Sequence, residues 1–291
     1  MFLNLRSILS YRKTFRKWLR VLYKILKHSY PFEITLNNGE SYLVYGHTQI
    51  YFLLKGLTPP TYVPNDDIML LQYKGKVLQF RDALENGAIY EIFIEESYKE
   101  LEIPKSTVID IGANIGDSSI YFALSGAKKV IAIEPQLKSY ESLVSNVKLN
   151  ELEDIVLSLR AGAGSKHEIL SINASKVNPS GSTSLNLKYG GEQLEIIDLH
   201  YIVDNFLSEV NSLKIDCEGC EYDFIDGAST EDLQRFKKIM VEYHYGPSEI
   251  IEKLEQVGFH ISLHPGMRGY NTESKPHFTS TGIIVGTLKN K

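Results

Sequence analysis

One short stretch, residues 108–117, constrains the fold of this chain more than any other. An apolar run over residues 108–111 leads into Gly-Ala-Asn-Ile-Gly at residues 112–116, and an amphipathic segment follows over residues 118–124. This order predicts a buried strand, a tight turn and a helix. Because glycine has no Cβ, such a turn lets a ligand approach the backbone closely.

A second apolar strand is predicted over residues 129–133. It ends at Glu134, which lies 22 positions after Gly112. An acidic residue about 20 positions after a glycine turn commonly binds the ribose hydroxyls of an adenosine-type ligand. The turn reads Gly112-x-x-x-Gly116 rather than the Gly-x-Gly-x-x-Gly of dinucleotide sites, and the sequence has no Gly-x-x-x-x-Gly-Lys-Ser/Thr phosphate loop. We therefore expect a nucleoside cofactor, and the glycine spacing weakens the interpretation as a dinucleotide site.

Strands and helices alternate over the rest of the chain, which predicts an α/β fold with a mainly parallel sheet and helices on both faces. Ligands of such sheets bind beyond the carboxyl ends of the strands, where the strand order reverses. The predicted helices cover 137–149, 198–208, 229–235 and 247–257, and the predicted strands cover 155–159, 212–216, 238–242, 259–263 and 280–287.

Composition and charge narrow the class of protein. The 291 residues, 43% of them hydrophobic, suffice for one large domain with a smaller appendage. The net charge is −5, but residues 1–28 carry eight Lys and Arg residues and no acidic residue, so the remainder carries −13. An acidic body is a poor non-specific partner for nucleic acid. No uncharged apolar run of about 18 residues is present, so we expect no membrane-spanning helix.

The basic segment 1–28 is predicted to contain one amphipathic helix over residues 8–27. Two interpretations are open: the helix lies on an anionic membrane surface or a partner, or it packs its apolar face on the body. The apolar face contains Ile8, Phe15, Leu19, Leu22 and Leu26, and the basic face contains Lys13, Arg16, Arg20, Lys24 and Lys27.

Residues 29–100 form a small lead-in region that is rich in predicted β-structure. Hairpins are predicted over residues 33–45, around Asn-Asn-Gly, and over residues 68–80, around Lys-Gly. Residues 89–101 have helical spacing. The chain is therefore expected to divide into a basic helix (1–28), this lead-in region (29–100) and a larger α/β domain (101–291).

Four segments in order carry a family resemblance. They are the glycine turn, Ile-Glu-Pro at 133–135, Lys-Ile-Asp-Cys-Glu-Gly-Cys-Glu at 214–221, and Val-Glu-Tyr-His at 241–244. This ordered set resembles the FkbM family of S-adenosylmethionine-dependent methyltransferases, over roughly residues 86–285. The resemblance implies a Rossmann-like class I methyltransferase fold with a seven-stranded sheet in the domain 101–291.

By this resemblance the cofactor is S-adenosylmethionine. Gly112 would leave room for its amino-acid tail, and Glu134 would accept both ribose hydroxyls unless it is a solvated strand end. Asp117 opens the next helix and is alternatively its N-cap. Ala163 belongs to a loop, 161–164, that lies near the adenine in this family or is an ordinary turn. The expected cofactor-binding residues are Asp110, Gly112, Asn114, Gly116, Asp117, Glu134 and Ala163.

The expected catalytic residues are Asp216, Glu218 and His244. Methyl transfer to oxygen is an in-line displacement, and a hydroxyl needs help to lose its proton. We expect His244 to act near neutral pH without a large pKa shift. Asp216 and Glu218 would instead position the acceptor or bind a divalent metal, although no metal is assigned to the site. Glu218 and Glu221 are alternatively charges at a helix N-terminus.

The two cysteines, Cys217 and Cys220, stand in a single C-x-x-C pair inside this segment. A structural zinc site needs a second pair of ligands. We interpret the two side chains as buried thiols rather than a redox or zinc site, which suits a reducing compartment.

The sequence therefore predicts a methyltransferase acting on a hydroxyl of a sugar, glycolipid or small metabolite. One alternative is a nucleic-acid or protein methyltransferase, which the basic N-terminus favours, but the Asn/Asp-Pro-Pro-Tyr type of motif is absent. Another is a non-catalytic module that binds S-adenosylmethionine. We expect a cytoplasmic protein without a specific nucleic-acid partner, which sits at the inner membrane face if residues 8–27 contact lipid.

Overall fold

The computed structural model describes residues 5–85, 87–101, 103–172, 191–207, 211–265 and 281–289. The chain forms two compact units, Met1–Ser97 and Tyr98–Lys291. The first unit contains both the basic N-terminal segment and most of the predicted lead-in region. Of the helices in the described ranges, none combines the length and the apolar character needed to cross a bilayer.

In chain order, the elements of the first unit are α1 (Leu5–Thr14), α2 (Trp18–Leu26), β1 (Phe32–Thr35), β2 (Ser41–Val44), α3 (His47–Leu54), β3 (Thr61–Val63), β4 (Ile68–Tyr73), β5 (Lys76–Phe80) and α4 (Ala88–Phe93). The antiparallel pairs β1–β2 and β4–β5 confirm both predicted hairpins, and β3 adds a third strand beside β4. The helix predicted over 89–101 is shorter than expected. It ends at Phe93, and Glu96 soon after takes a left-handed backbone conformation that cannot continue a helix.

The single helix predicted over residues 8–27 is wrong, because the chain leaves the helical path between α1 and α2. Phe15 forms an isolated antiparallel bridge with Leu36, and the N–H of Arg16 donates to the carbonyl of Thr35 at 2.9 Å. This pairing against β1 buries the Phe15 ring completely. Contacts between residues 19 and 21 positions apart thus override a continuous local helical pattern.

The break also changes which face of the second helix is buried. The core of this unit receives Val21, Leu22 and Ile25 from α2. Three other large apolar side chains of α2 remain in solvent, at exposed fractions of 65% for Leu19, 60% for Tyr23 and 58% for Leu26. The predicted apolar face was therefore only partly right, since Leu19 and Leu26 were expected to share it with Leu22.

In chain order, the elements of the second unit are β6 (Thr107–Ile111), α5 (Asp117–Leu124), β7 (Lys129–Ile133), α6 (Leu137–Leu149), β8 (Val156–Leu159), β9 (Gly162–Ala163), β10 (Glu168–Ile172), β11 (Glu192–Ile197), α7 (Leu199–Phe206), β12 (Asn211–Ile215), α8 (Glu221–Gly227), α9 (Thr230–Leu233), β13 (Lys238–Tyr243), α10 (Ser248–Val257), β14 (Phe259–Pro265) and β15 (Gly282–Leu288). Positions 208 and 280, which end a predicted helix and begin a predicted strand, lie outside the described residues.

The large sheet has seven strands in the order β14-β15-β13-β12-β6-β7-β8. The pairs β6–β7, β7–β8, β12–β6 and β12–β13 are parallel, whereas β15 is antiparallel to both of its neighbours. The prediction of an α/β fold with a mainly parallel seven-stranded sheet is therefore confirmed. Every residue of β6 and of β12 is buried, as parallel strands covered on both faces require.

The strand order fixes where a ligand can bind. From β6 the chain moves outward to β7 and β8, and it later returns to β12 on the other side of β6 before continuing to β13. Right-handed crossovers therefore place α5 and α6 on one face of the sheet and α8 and α9 on the other. The strand order reverses between β6 and β12, so a crevice is expected at their carboxyl ends.

Sequence patterns did not predict a second, smaller sheet in this unit. Strand β10 pairs antiparallel with β11, and β11 pairs parallel with the two-residue strand β9. The loop predicted over residues 161–164 thus contains a strand whose partner lies more than 30 residues later in the chain.

Candidate active site

The glycine turn follows β6 and lies against the end of β12. The N–H groups of Gly112 and Ala113 donate to the carbonyl of Ile133, at 3.0 and 3.1 Å, which fastens the turn to β7. Gly112 has φ +74°, and a Cβ there would overlap the carbonyl oxygen of Asp216. Both its conformation and this close approach therefore require glycine. Gly116 is also left-handed, at φ +88°, and is the N-cap residue of α5.

Asp110 anchors this turn through a buried ion pair. Its Oδ1 lies 3.0 Å from Nζ of Lys214, and its Oδ2 accepts the hydroxyls of Ser118 and Ser119 at 2.7 and 2.6 Å. Nζ of Lys214 also donates to the carbonyl of Gly112 at 2.9 Å. One carboxylate thus joins β6, β12 and the first turn of α5.

Sequence reasoning missed Lys214 as a residue of this site. The signal was available, because a lysine inside a strand that is buried on both faces needs a partner for its charge. Burial alone would lower the pKa of Lys214, but the charges of Asp110 and Asp216 and the hydrogen bond to Asp110 outweigh it and raise the pKa. The ammonium form is therefore the one that the fold stabilises.

Glu134 follows β7 and faces the same turn. Its Oε2 accepts the N–H of Asn114 at 2.9 Å, and its Oε1 accepts the N–H of Gln136 at 2.9 Å. The residue is only 7% exposed, so it is not a solvated strand end. Burial raises the pKa of Glu134, against the opposing effect of the two N–H donors. The carboxylate is thus fixed in one orientation at the place where a ribose was expected.

The structure also places the other expected cofactor residues. Asp117 is buried and is the first residue of α5 rather than its N-cap, and the N–H of Ser118 donates to its Oδ1 at 3.0 Å. Burial raises the pKa of Asp117 to about 6. Asn114 adopts φ 47° within the turn. Ala163 lies in β9 opposite Ile197, so its segment is not an ordinary turn.

Asp216, Glu218 and His244 are brought together beyond the ends of β12 and β13. Nε2 of His244 lies 3.5 Å from Oε2 of Glu218 and 3.9 Å from Oδ1 of Asp216. Nδ1 of His244 lies 2.9 Å from Oε1 of Glu221. A single imidazole therefore stands among three carboxylates, which we call the acidic cluster (Asp216, Glu218, Glu221 and His244).

The expectation of an unshifted His244 is wrong. Burial alone would lower the pKa of His244, but the hydrogen bond and charge of Glu221 and the charges of Asp216 and Glu218 raise it to about 9. The sequence analysis grouped Asp216 and Glu218 with His244 as catalytic candidates, but it did not place the buried carboxylate of Glu221 beside the imidazole.

Glu221 was expected only as a helix N-terminal charge. It is the first residue of α8, and it is also completely buried, with Oε1 accepting the N–H of Cys217 at 3.1 Å as well as facing His244. Its Oε2 is buried without a hydrogen-bond partner among the described residues. Glu221 therefore fixes the orientation of His244, a role that its place in Asp-x-Glu-Gly-x-Glu did not reveal.

Cys217 and Cys220 are joined by a disulfide bond, so their interpretation as buried thiols is wrong. The turn between β12 and α8 brings their Cα atoms to 5.5 Å, which lies within the range that a disulfide spans. The bond closes the loop that carries Glu218.

Comparison with known proteins identifies one family and several similar proteins. Residues 110–261 match the methyltransferase FkbM domain. Methyltransferase sdnD of Sordaria araneosa is 26% identical over 218 residues, covering 62% of this chain and 84% of that protein. Methyltransferase 1 of Beauveria bassiana (strain ARSEF 2860) is 25% identical over 177 residues, covering 52% of this chain and 70% of that protein. The crystal structure of methyltransferase FkbM from Methylobacillus flagellatus KT is similar with a TM-score of 0.42 and 16% identity, covering 65% of this chain and 50% of that one.

Proposed function

Because the chain belongs to the FkbM methyltransferase domain family, we propose that it transfers the methyl group of S-adenosylmethionine to a hydroxyl of a sugar, glycolipid or other small metabolite. The observation that carries this proposal is the direct contact between the glycine turn and the acidic cluster. The glycine turn, with Glu134 and Asp117 around it, touches Asp216 directly, and Asp216 belongs to the acidic cluster. A methyl donor on the turn would therefore face groups that can orient an acceptor hydroxyl and help it lose its proton.

The residues around the turn fit the chemistry of the cofactor. The amino-acid tail would lie beside Gly112, with the buried carboxylate of Asp117 as the group that receives its ammonium. Glu134 is already oriented by two backbone N–H groups and keeps lone pairs for two ribose hydroxyls. When bound, S-adenosylmethionine supplies an electrophilic methyl on a sulfonium. The chain's own contribution is to hold both partners in line.

The acidic cluster supports a neutral, hydroxyl-bearing acceptor. The net charge of −13 outside residues 1–28 disfavours the alternative of a nucleic-acid substrate, whereas the three carboxylates of the cluster can face an uncharged acceptor. They also suit hydrogen bonding from hydroxyls, whose protons must leave as the new C–O bond forms. Their presence disfavours the other alternative, a binding module without catalysis.

The test combines cofactor binding with turnover. Isothermal titration should show S-adenosylmethionine binding that Glu134→Gln weakens by about 10- to 100-fold, since a hydrogen bond to a charged group contributes about 1.5–3 kcal/mol. Glu153→Gln, at an exposed position in the same unit, is the matched control and should bind like the wild type. Incubation with methyl-labelled cofactor and a metabolite extract should then transfer label to hydroxyl oxygens. Absence of binding, or label on nitrogen only, would reject the proposal.

We also propose that the exposed face of α2 contacts an anionic membrane. Leu19, Tyr23 and Leu26 project into solvent at helical spacing, and Arg16, Arg20 and Lys27 lie exposed among them. An apolar stripe bordered by basic side chains matches the interface of a lipid bilayer with negative headgroups. Vesicles containing phosphatidylserine should retain the full chain, and L19S/L26S should release it. Equal retention of both proteins, or equal retention on neutral vesicles, would exclude this contact.

A further inference from the structure

The two ring nitrogens of His244 serve different neighbours. Nδ1 lies at hydrogen-bond distance, 2.9 Å, from the buried carboxylate of Glu221, which also accepts the N–H of Cys217. Nε2 points away from Glu221, toward Glu218 and Asp216. When a cation displaces the proton of Nε2, a histidine that keeps donating Nδ1–H to a carboxylate directs its Nε2 lone pair outward, and this arrangement is the usual support of a metal-binding histidine.

The distances around Nε2 fit a small cation better than hydrogen bonds. Nε2 of His244, one oxygen of Asp216 and one oxygen of Glu218 all lie within 4.8 Å of one another. Octahedral coordination with bonds of about 2.1 Å separates adjacent ligand atoms by about 3 Å and opposite ones by about 4.2 Å. The observed 3.5 and 3.9 Å lie between these values, so small side-chain movements would complete the geometry.

The net negative charge of the acidic cluster also favours a bound cation. Asp216, Glu218 and Glu221 carry three carboxylates, and His244 offers at most one positive charge to offset them. Lys214, a buried cation two residues before Asp216, is engaged by Asp110 and by backbone carbonyls. A divalent cation would offset the remaining negative charge.

The ligands stand on well-supported backbone. Asp216 follows β12 and His244 follows β13, two neighbouring strands of the large sheet. The Cys217–Cys220 bond closes the loop around Glu218. The side chain of Glu218 is 43% exposed, whereas that of His244 is 14% exposed, so solvent reaches the cluster on the side of Glu218. An acceptor hydroxyl or water can therefore enter from that side.

We propose that Asp216, Glu218 and His244 bind a divalent cation of the Mg²⁺ or Mn²⁺ class, which coordinates the acceptor hydroxyl. Two carboxylates select hard cations, and the imidazole favours Mn²⁺ over Mg²⁺. The role rests on the proposed function. The cation lowers the pKa of the hydroxyl, whose proton passes to water. An oxygen lone pair then forms the C–O bond, and the electrons of the S–C bond remain on sulfur, which becomes a neutral thioether.

The test uses Mn²⁺ as the probe on the full chain after treatment with a chelator. Isothermal titration and electron paramagnetic resonance should detect one Mn²⁺ with a nitrogen ligand. Glu218→Gln should weaken binding at least 10-fold, and His244→Gln should remove the nitrogen signal. Glu221→Gln tests the positioning role, because loss of the partner of a ligating histidine typically weakens metal binding 10- to 100-fold.

A second group of possible ligands, His28, His47 and Glu85, lies in the first unit and supplies the control. Glu85→Gln should leave Mn²⁺ binding unchanged. The inference is overturned if no saturable binding occurs, if Glu218→Gln binds like the wild type, or if Glu85→Gln abolishes binding instead. Titration of S-adenosylmethionine on the same samples separates the two proposals. Cofactor binding without Mn²⁺ binding would overturn only the metal site, whereas Mn²⁺ binding without cofactor binding would overturn only the proposed function.

Discussion

The buried pair of Asp110 and Lys214 should hold the two central strands together at the site. Lys214→Met keeps most of the side-chain volume but removes the ammonium. Among the described residues it leaves the completely buried Asp110 with only the hydroxyls of Ser118 and Ser119 as side-chain partners, and it removes a donor from the carbonyl of Gly112.

The expected cost follows from that environment. Removing one partner of a buried ion pair typically destabilises a protein by about 3–5 kcal/mol, because the other charge is left uncompensated. Both side chains are at most 2% exposed, so screening by solvent does not reduce this value. Total stabilities are about 5–15 kcal/mol, so the loss is a large share of the free energy of unfolding. Adding Asp110→Asn to Lys214→Met removes the uncompensated charge. The double variant should therefore be about 2 kcal/mol more stable than the sum of the two single effects predicts.

Urea unfolding followed by circular dichroism measures the free energy of unfolding of the wild type, the two single variants and the double variant. Lys129→Met is the matched control, since Lys129 is exposed at the start of the neighbouring strand β7, and it should change stability by less than about 0.5 kcal/mol. If Lys214→Met unfolds at the wild-type urea concentration, the pair does not stabilise the fold. Single effects that add within about 0.5 kcal/mol would show that the two side chains act independently.

Further predictions concern the turn, a buried acid and the disulfide. Gly112→Ala should cost more than 3 kcal/mol in urea unfolding, because its Cβ meets the Asp216 backbone, whereas Gly126→Ala, with φ +93° but only an ordinary contact to Pro104 at 3.9 Å, should cost only about 1–2 kcal/mol. The pKa of Asp117 is higher when folded, about 6 against 3.8, so its contribution to stability is largest below pH 3.8 and is lost as the pH rises to 6. The free energy of unfolding of Asp117→Asn, relative to that of the wild type, should therefore rise by about 3 kcal/mol between pH 3.8 and pH 6. Parallel pH profiles of the two proteins would contradict the raised pKa. Replacing Cys217 and Cys220 by Ser should cost about 2 kcal/mol or less, since the closed loop is short, and equal stability of the wild type with and without reductant would argue against the bond.

The sequence allowed prediction of those parts of the site that depend on neighbours along the chain. The glycine turn, the position of Glu134 and the alternation of strands and helices follow from local periodicity and spacing, and the structure has them in place. The pairing of Lys214 with Asp110 requires knowing that two strands about a hundred residues apart are adjacent. The break after α1 similarly depends on Leu36, which lies in the next hairpin.

The contact of Gly112 with Asp216 has a consequence for how the two halves of the site work together. The carbonyl of Asp216 occupies the space that a side chain at Gly112 would need, and Lys214, two residues before Asp216, donates to the carbonyl of Gly112. The turn and the acidic cluster are therefore packed as one body, and neither can shift without the other. Since in-line transfer depends on the distance between the donor methyl and the acceptor oxygen, displacements of about 1 Å at either side reduce the rate strongly. A substitution at Gly112 should for this reason lower turnover even at saturating cofactor, whereas a residue that only bound the cofactor would lose its effect there.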